Sequence, residues 1–369
     1  MPVRMTVVPL HSLSALLALA AFGLPACKGQ DSSGAPAPSA AAAKPMGMAS
    51  AATLVAATTP PEVLAKLHHP KEVALGGGAL FVLDTPTDSP DEGNGLDVVT
   101  LPAAPGGAAK PIFSKQRGAE GLAYAGGRLV WITAPSDDGK EHSKIVAAKV
   151  GGTAPAAVVR TLDTDETIAV SDGTDVFSFG DTKGAKAKST SPDILRIGAD
   201  GKAAVVATSV GALVRTAIAV NGTHVLWVQG GAIVKAPKAG GDIATVAKLP
   251  GGKIQRLAAD DTAAYWTDFG TGDPQWSGRV YRASLADGKV DTISDAPSPF
   301  AIVLDGDTVY WTSSADVGGR VVARGKAGGD THVLAQDQHG PRGIVLDEKY
   351  VYWVNRGDGS VSRVAKAGK

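Results

Sequence analysis

Acids, bases and an amide recur at matched points along this chain. Aligned on the starts of a series of short alternating segments, they are Lys71, Glu120, Glu166, Thr216, Gln255, Phe300 and Arg342, with Glu72 and Arg256 one position further on. Brought together, they would form a ring of mixed charge. Such a ring suits a small polar or zwitterionic ligand, or charges that pair with one another around a water-filled opening. A second group has metal-binding chemistry. His69 and His339 occupy equivalent junctions between segments, and with Glu72 and Glu120 they would approach the ligand set that zinc requires. Asp84, Asp88, Asp91 and Glu92 would offer oxygen ligands to Ca²⁺, but without a fixed ligand spacing. Phe269, Asp273 and Trp276 share one long loop. Trp276 is a large ring outside any strand, so it is either a contact residue or a cover folded back over its own segment. There is no nucleophile elbow, no HExxH and no glycine-rich phosphate loop. The sequence therefore predicts a binding protein before an enzyme. It predicts no cofactor, with Ca²⁺ or another divalent ion as the exception to test.

Positioning these residues falls to a pattern that returns from Val73 onward. A short alternating strand (A) and a two-residue turn lead to an apolar strand (B). A polar loop, a third strand (C), a glycine-rich turn and a fourth strand (D) follow. The B strands read ALFVLD (79–84), RLVWIT (128–133), DVFSFG (175–180), HVLWVQ (224–229), AAYWTD (263–268), TVYWTS (308–313) and YVYWVN (350–355). Their spacing of about 40 to 50 residues is that of four-stranded propeller blades. β-branched and aromatic residues fill the strands, and Gly-Gly, Asp-Gly and Asn-Gly supply hairpin turns. On this reading Asn221-Gly222-Thr223 and Arg356-Gly357-Asp358 are turns, not a glycan acceptor and an adhesion motif. Five of the six tryptophans, Trp131, Trp227, Trp266, Trp311 and Trp353, fall at one register and are expected between blades.

The seventh copy stops after its C strand. The missing D strand lies at the other end of the chain, where PEVLAKLHHPKEVAL (61–75) matches THVLAQDQHGPRGIVL (331–346). The fold class is therefore all-β: a single β-propeller of seven four-stranded blades, closed by residues 62–67 on the edge of blade seven. The ring would have six blades if DVFSFG belonged to an insertion. In such a ring the B–C loops and D–A connections share one face. The B–C loops are the long ones, so that face is the expected binding face.

Tyr265-Trp266-Thr267-Asp268 resembles the YWTD tetrapeptide of low-density-lipoprotein-receptor propellers, with variants at Tyr310–Ser313 and Tyr352–Asn355. The later blades look like YWTD/NHL-type repeat proteins of the bacterial envelope. Receptor-class YWTD propellers have six blades, and seven copies are counted here. Seven blades also invite comparison with the virginiamycin B lyase family, whose His, Glu and metal set does not map onto this sequence residue by residue.

The N-terminus indicates where the propeller is held. Leu13–Leu24 is an apolar run of signal-peptide length, too short to span a membrane. Leu24-Pro25-Ala26-Cys27 resembles a bacterial lipobox and contains the only cysteine. Residues 1–26 are read as a lipoprotein signal peptide and 27–61 as lipidated Cys27 with a disordered Ala/Pro/Ser/Gly tether. Residues 62–369 are read as the propeller. Lys28 is not the aspartate that signals inner-membrane retention, which tilts the location toward the outer membrane. The chain has 36 basic and 36 acidic residues, so a nucleic-acid surface is not expected. The sequence thus predicts a monomeric, lipid-anchored envelope propeller that binds a protein, glycan or small polar ligand. The alternative is a metal-assisted lyase or hydrolase acting in the channel mouth.

Overall fold

The computed structural model describes residues 53–86, 95–135, 142–162, 168–180, 192–270, 278–314 and 318–366. They belong to a compact unit spanning Ala49–Lys369. Seven antiparallel sheets succeed one another at 69–116, 120–162, 169–208, 213–248, 254–295, 299–338 and 341–365, the last completed by residues 62–66. Each runs A–B–C–D by hairpins. The A strands of neighbouring sheets touch, and the seventh, Pro341–Leu346, returns to the first, His69–Gly76. The molecule is a seven-bladed β-propeller. DVFSFG is not an insertion: its strand, Val176–Gly180, is flanked by Ala169–Ser171, Asp193–Ile197 and Ala203–Thr208 as a full blade three.

Closure occurs where the sequence places it. β2 (Glu62–Lys66) pairs antiparallel with Ser360–Ala365, with Glu62 opposite Arg363 and Lys66 opposite Ser360. Arg363 Nε donates to Glu62 Oε2 at 2.8 Å, and the Leu67 N–H to the Gly359 carbonyl at 2.8 Å. The Arg356-Gly357-Asp358 turn is part of this latch, since Asp358 binds Lys66 at 2.7 Å. Asn221 likewise has a turn role: its Oδ1 accepts the N–H groups of Thr223 and His224.

One strand departs from the sequence reading. β1 (Leu54–Val55), inside the stretch read as tether, pairs in parallel with Thr331 and His332 on the outer edge of blade six. An outermost strand leaves a row of N–H and C=O groups unpaired, and any short extended apolar segment can take them up. Here the Thr331 N–H is bonded to the Thr53 carbonyl at 3.0 Å. The signal-peptide reading, Cys27 and residues 28–52 lie outside the described residues.

Trp131, Trp227, Trp266, Trp311 and Trp353 are all buried, as expected of rings packed between sheets. Burying each stabilises the ring by roughly 1.5–3 kcal/mol or more. Polar clasps repeat on the face of the A–B turns. A lysine at or just past the end of a C strand reaches the A–B turn aspartate of the preceding blade: Lys238 to Asp172 at 2.6 Å, Lys326 to Asp260 at 2.7 Å, and Lys366 to Asp305 at 2.5 Å. Two of these ammonium groups also lie over the tyrosine of the preceding B strand, Lys326 over Tyr265 and Lys366 over Tyr310.

Candidate site at the channel mouth

The A strands surround a central cavity of about 490 Å³. Its depth is apolar, walled by residues such as Leu75, Val170, Val220, Leu304 and Leu346, and its charge comes from Lys71, Glu72 and Arg256. Of the mixed-charge ring expected from the sequence, Lys71, Glu72, Arg256 and Phe300 border this cavity.

In six of the blades the A strand is interrupted where a rim residue stands. The A–B register shifts at Pro70/Glu72, Glu120/Ala123, Leu213/Ile218, Ile254/Arg256, Pro299/Ile302 and Pro341/Ile344. Lys71, Gln255, Phe300 and Arg342 fall within these shifts. A bulge frees backbone groups from the ladder and re-aims side chains, so its donors and acceptors need other partners. Thr267 Oγ1 accepts the Arg256 N–H at 3.2 Å and donates to the Phe300 carbonyl of the next blade at 2.6 Å. Thr312 repeats this one blade on, accepting from Ala301 and donating to the Arg342 carbonyl at 3.0 Å. In blade two the Leu122 N–H donates to Glu72 Oε2 at 2.9 Å. Sequence reasoning missed the two threonines. Their signal is a hydroxyl in a column that otherwise holds Leu83, Ile132, Phe179, Val228 and Val354.

Two rim arginines gather on Phe300. The Arg256 and Arg342 guanidinium carbons lie 4.9 and 4.5 Å from its ring centroid, and the Phe269 ring lies 6.4 Å away at a tilt. Arg256 Nη2 is 3.5 Å from Glu72 Oε1, joining blade five to blade one. Both side chains are about one-fifth exposed, at 18% and 22%. Four blades thus contribute Glu72, Arg256, Phe300 and Arg342 to one cluster. A guanidinium over an aromatic face is held flat with its N–H edge directed at acceptors, which for Arg256 are the Gln255 carbonyl at 3.0 Å and Glu72.

The other predicted residues divide. Gln255 turns away, donating from Nε2 to the Lys253 carbonyl at 3.2 Å. Lys71, Glu120 and Arg342 all have further partners. Glu166, Asp273 and Trp276 lie outside the described residues, as do Asp88, Asp91 and Glu92. Asp84 is buried and caps the junction into blade one, accepting the His69 N–H at 2.9 Å and the His68 N–H at 3.3 Å. Burial pushes its carboxyl up despite these donors. His69 and His339 do share a neighbourhood, the B–C turn of blade seven. His69 Nδ1 is 3.3 Å from the Arg356 carbonyl, and the His339 carbonyl accepts the Gly357 N–H at 2.9 Å. Glu72 is committed to Leu122 and Arg256 instead. Among the described residues, no group of three or more His, Cys, Asp or Glu side chains is placed to hold a metal ion.

No protein-family model matches this sequence, and no curated protein matches it. Solved structures do. Selenomethionine-substituted virginiamycin B lyase from Staphylococcus aureus aligns over 82% of this chain and 98% of its own, at 13% identity and TM-score 0.58. PorZ, described as an essential bacterial surface component of the type-IX secretion system of Porphyromonas gingivalis, aligns over 84% of this chain and 38% of its own, at 15% identity and TM-score 0.57. The β-propeller domain of the Trilobed protease from Pyrococcus furiosus aligns over 82% and 97%, at 12% identity and TM-score 0.53, and is described as having an open velcro topology. At these identities the likeness is one of fold.

Proposed function

We propose that the chain is a lipid-anchored propeller of a bacterial envelope that binds a small ligand carrying both charges at its channel mouth. The carrying observation is the Arg256–Phe300–Arg342 stack beside Glu72. A carboxylate would exchange into the hydrogen bonds of the two guanidinium groups, an apolar portion would rest near Phe300, and a cationic group would compete with Arg256 for Glu72. Glu72 already accepts from Leu122 and pairs with Arg256, which suits it to holding charge in place rather than to acting as a base. Lipidation at Cys27 rests on the sequence. Among the described residues no helix is long and apolar enough to cross a membrane.

Titration calorimetry of residues 49–369 against free amino acids, dicarboxylates and short peptides tests the mouth. Phe300→Ala and Arg256→Gln should each weaken any hit about tenfold or more, the scale of one lost charge-assisted contact. Undiminished binding by both folded variants would show that the ligand sits elsewhere. Anchoring is tested separately: Cys27→Ser should move the full chain from the membrane to the soluble fraction.

A further inference from the structure

Blade five lacks the indole-to-glutamine bond that blades two, four and seven make, although in blade seven Asn355 Oδ1 is also buried without a partner. In blade two Trp131 Nε1 donates to Gln116 Oε1 at 3.0 Å. In blade four Trp227 donates to Gln229 Oε1 at 3.1 Å. In blade seven Trp353 Nε1 and Asn355 Nδ2 converge on Gln338 Oε1 at 3.0 and 2.9 Å. Trp266 and Asp268 are the blade-five counterparts of Trp353 and Asn355, but no glutamine serves them. The Trp266 Nε1–H and Asp268 Oδ2 are both buried without a hydrogen-bond partner, on residues 0% and 2% exposed. Lying two residues apart on one strand, they share a face. Unsatisfied buried groups are rare enough to require a cause.

Blade one shows what is missing on the carboxylate side. Asp84 is the counterpart of Asp268, and its Oδ2 takes the His68 N–H at 3.3 Å with the His68 ring 3.5 Å away. Asp268 keeps the matching contact of its first oxygen, accepting the Lys253 N–H at 2.8 Å and adding that of Gly270 at 2.7 Å. The residue in the place of His68 is Gly252. A Cβ there would stand 1.9 Å from Asp268 Oδ2, so glycine lets the backbone pass directly over the carboxylate. Around it lies a cavity of about 260 Å³ whose lining includes Gly251, Gly252, Asp268, Arg279 and Tyr281; Trp266 stands behind that lining, its ring stacked on Tyr281 at 5.2 Å.

The structure assigns to blade five a niche for a terminal carboxamide, distinct from the channel mouth. The occupant must accept from the Trp266 indole and donate to the Asp268 carboxylate. A carboxamide does both from one planar head, replacing from outside the glutamine that Trp131 and Trp353 receive from the preceding blade and Trp227 from its own strand. A free carboxylate is repelled at the Asp268 end, and Arg279, which also lines the cavity, is already paired with Asp295 at 2.9 Å. The source is either free glutamine or asparagine, or such a side chain on a peptide; the chemistry at the niche is shared.

The test follows the Trp266 indole N–H resonance, assigned with Trp266→Phe, during titration with L-glutamine, a glutamine-containing tripeptide, L-glutamate and glycerol. Glutamine or the tripeptide should shift it, the stronger of the two identifying the source, while glutamate and glycerol should not. Asp268→Asn turns the acceptor into a donor. It should weaken glutamine about tenfold and admit glutamate, as expected when a site's polar partner is reversed. If that variant fails to fold, glutamine binding followed on the other indole and backbone resonances should be lost in Trp266→Phe, which keeps an apolar ring. No shift with either carboxamide up to about 50 mM, well above the millimolar Kd of one polar head group, would mean that the niche holds water only and overturn the proposal. An equal response to glycerol would also overturn it.

Discussion

Asp260→Asn isolates one inter-blade clasp and permits a worked magnitude. Burial pushes the Asp260 carboxyl up, but the Lys326 ammonium, the Thr262 hydroxyl and the N–H groups of Thr262 and Ala263 outweigh it and hold it at about 2, against an ordinary 3.8. At about 1.36 kcal/mol per pH unit, that difference is worth roughly 2 kcal/mol at neutral pH. Neither side chain is more than about a quarter exposed, at 26% for Asp260 and 16% for Lys326, so solvent screening takes little from this. The folded-state value is depressed, so the contribution is full above 3.8 and is lost as pH falls through about 2. Urea unfolding at pH 7 should find Asp260→Asn less stable by about 2 kcal/mol, and the wild-type and variant curves should converge near pH 2. Asp200→Asn is the control, because Asp200 is also held low by its Lys202 contacts but is fully exposed, and it should leave stability unchanged. A gap that stays constant from pH 7 to pH 2, or one below about 0.5 kcal/mol at pH 7, would refute the reasoning.

Other perturbations separate the parts of the ring. Thr267→Val removes both bonds that hold the Arg256 N–H and the Phe300 carbonyl and should cost about 1–3 kcal/mol in chemical unfolding. It should also weaken any mouth ligand by displacing Phe300. Gly252→Ala drives a methyl into Asp268 at a residue with φ of +123°, and a loss of about 2 kcal/mol or more is expected by the same assay. Removing residues 49–60 takes away β1 and should lower Tm by only about 5 °C or less. Extending the deletion through Lys66 removes the closing strand and should abolish the cooperative calorimetric transition.

The sequence made legible whatever repeats. Blade number, the packing of Trp131 and its counterparts, and closure by residues 62–66 all follow from periodicity, because each blade must solve the same burial problem with the same strand. The positions of Lys71 and Phe300 at the central cavity followed from the same register. The cluster around Phe300 did not. The stacking of two arginines on Phe300 depends on the rotation between neighbouring blades and on bulges that leave no composition signal. β1 stayed hidden because two residues carry no period, and only a free edge elsewhere in the fold gives Leu54 and Val55 a partner.

The chemistry in this molecule lies where one copy departs from the others. A YWTD segment cut to a common pattern gives Tyr265 and Trp266 to the core and Thr267 to the mouth, and in those roles it differs little from Tyr310–Ser313 one blade on. Asp268 is another matter. Its counterpart in blade one satisfies both oxygens with His68 and His69, and its counterpart in blade seven is an amide answered by Gln338. Only the local partners differ, Gly252 for His68 and no glutamine at the junction from blade four. Substituting glycine for a hydrogen-bonding side chain beside a buried carboxylate costs stability unless something else occupies the space. A repeat protein could remove that cost by matching the other blades, since the required residues already exist in its own sequence. That blade five keeps the mismatch, beside a cavity, is the physical reason to look there for a ligand.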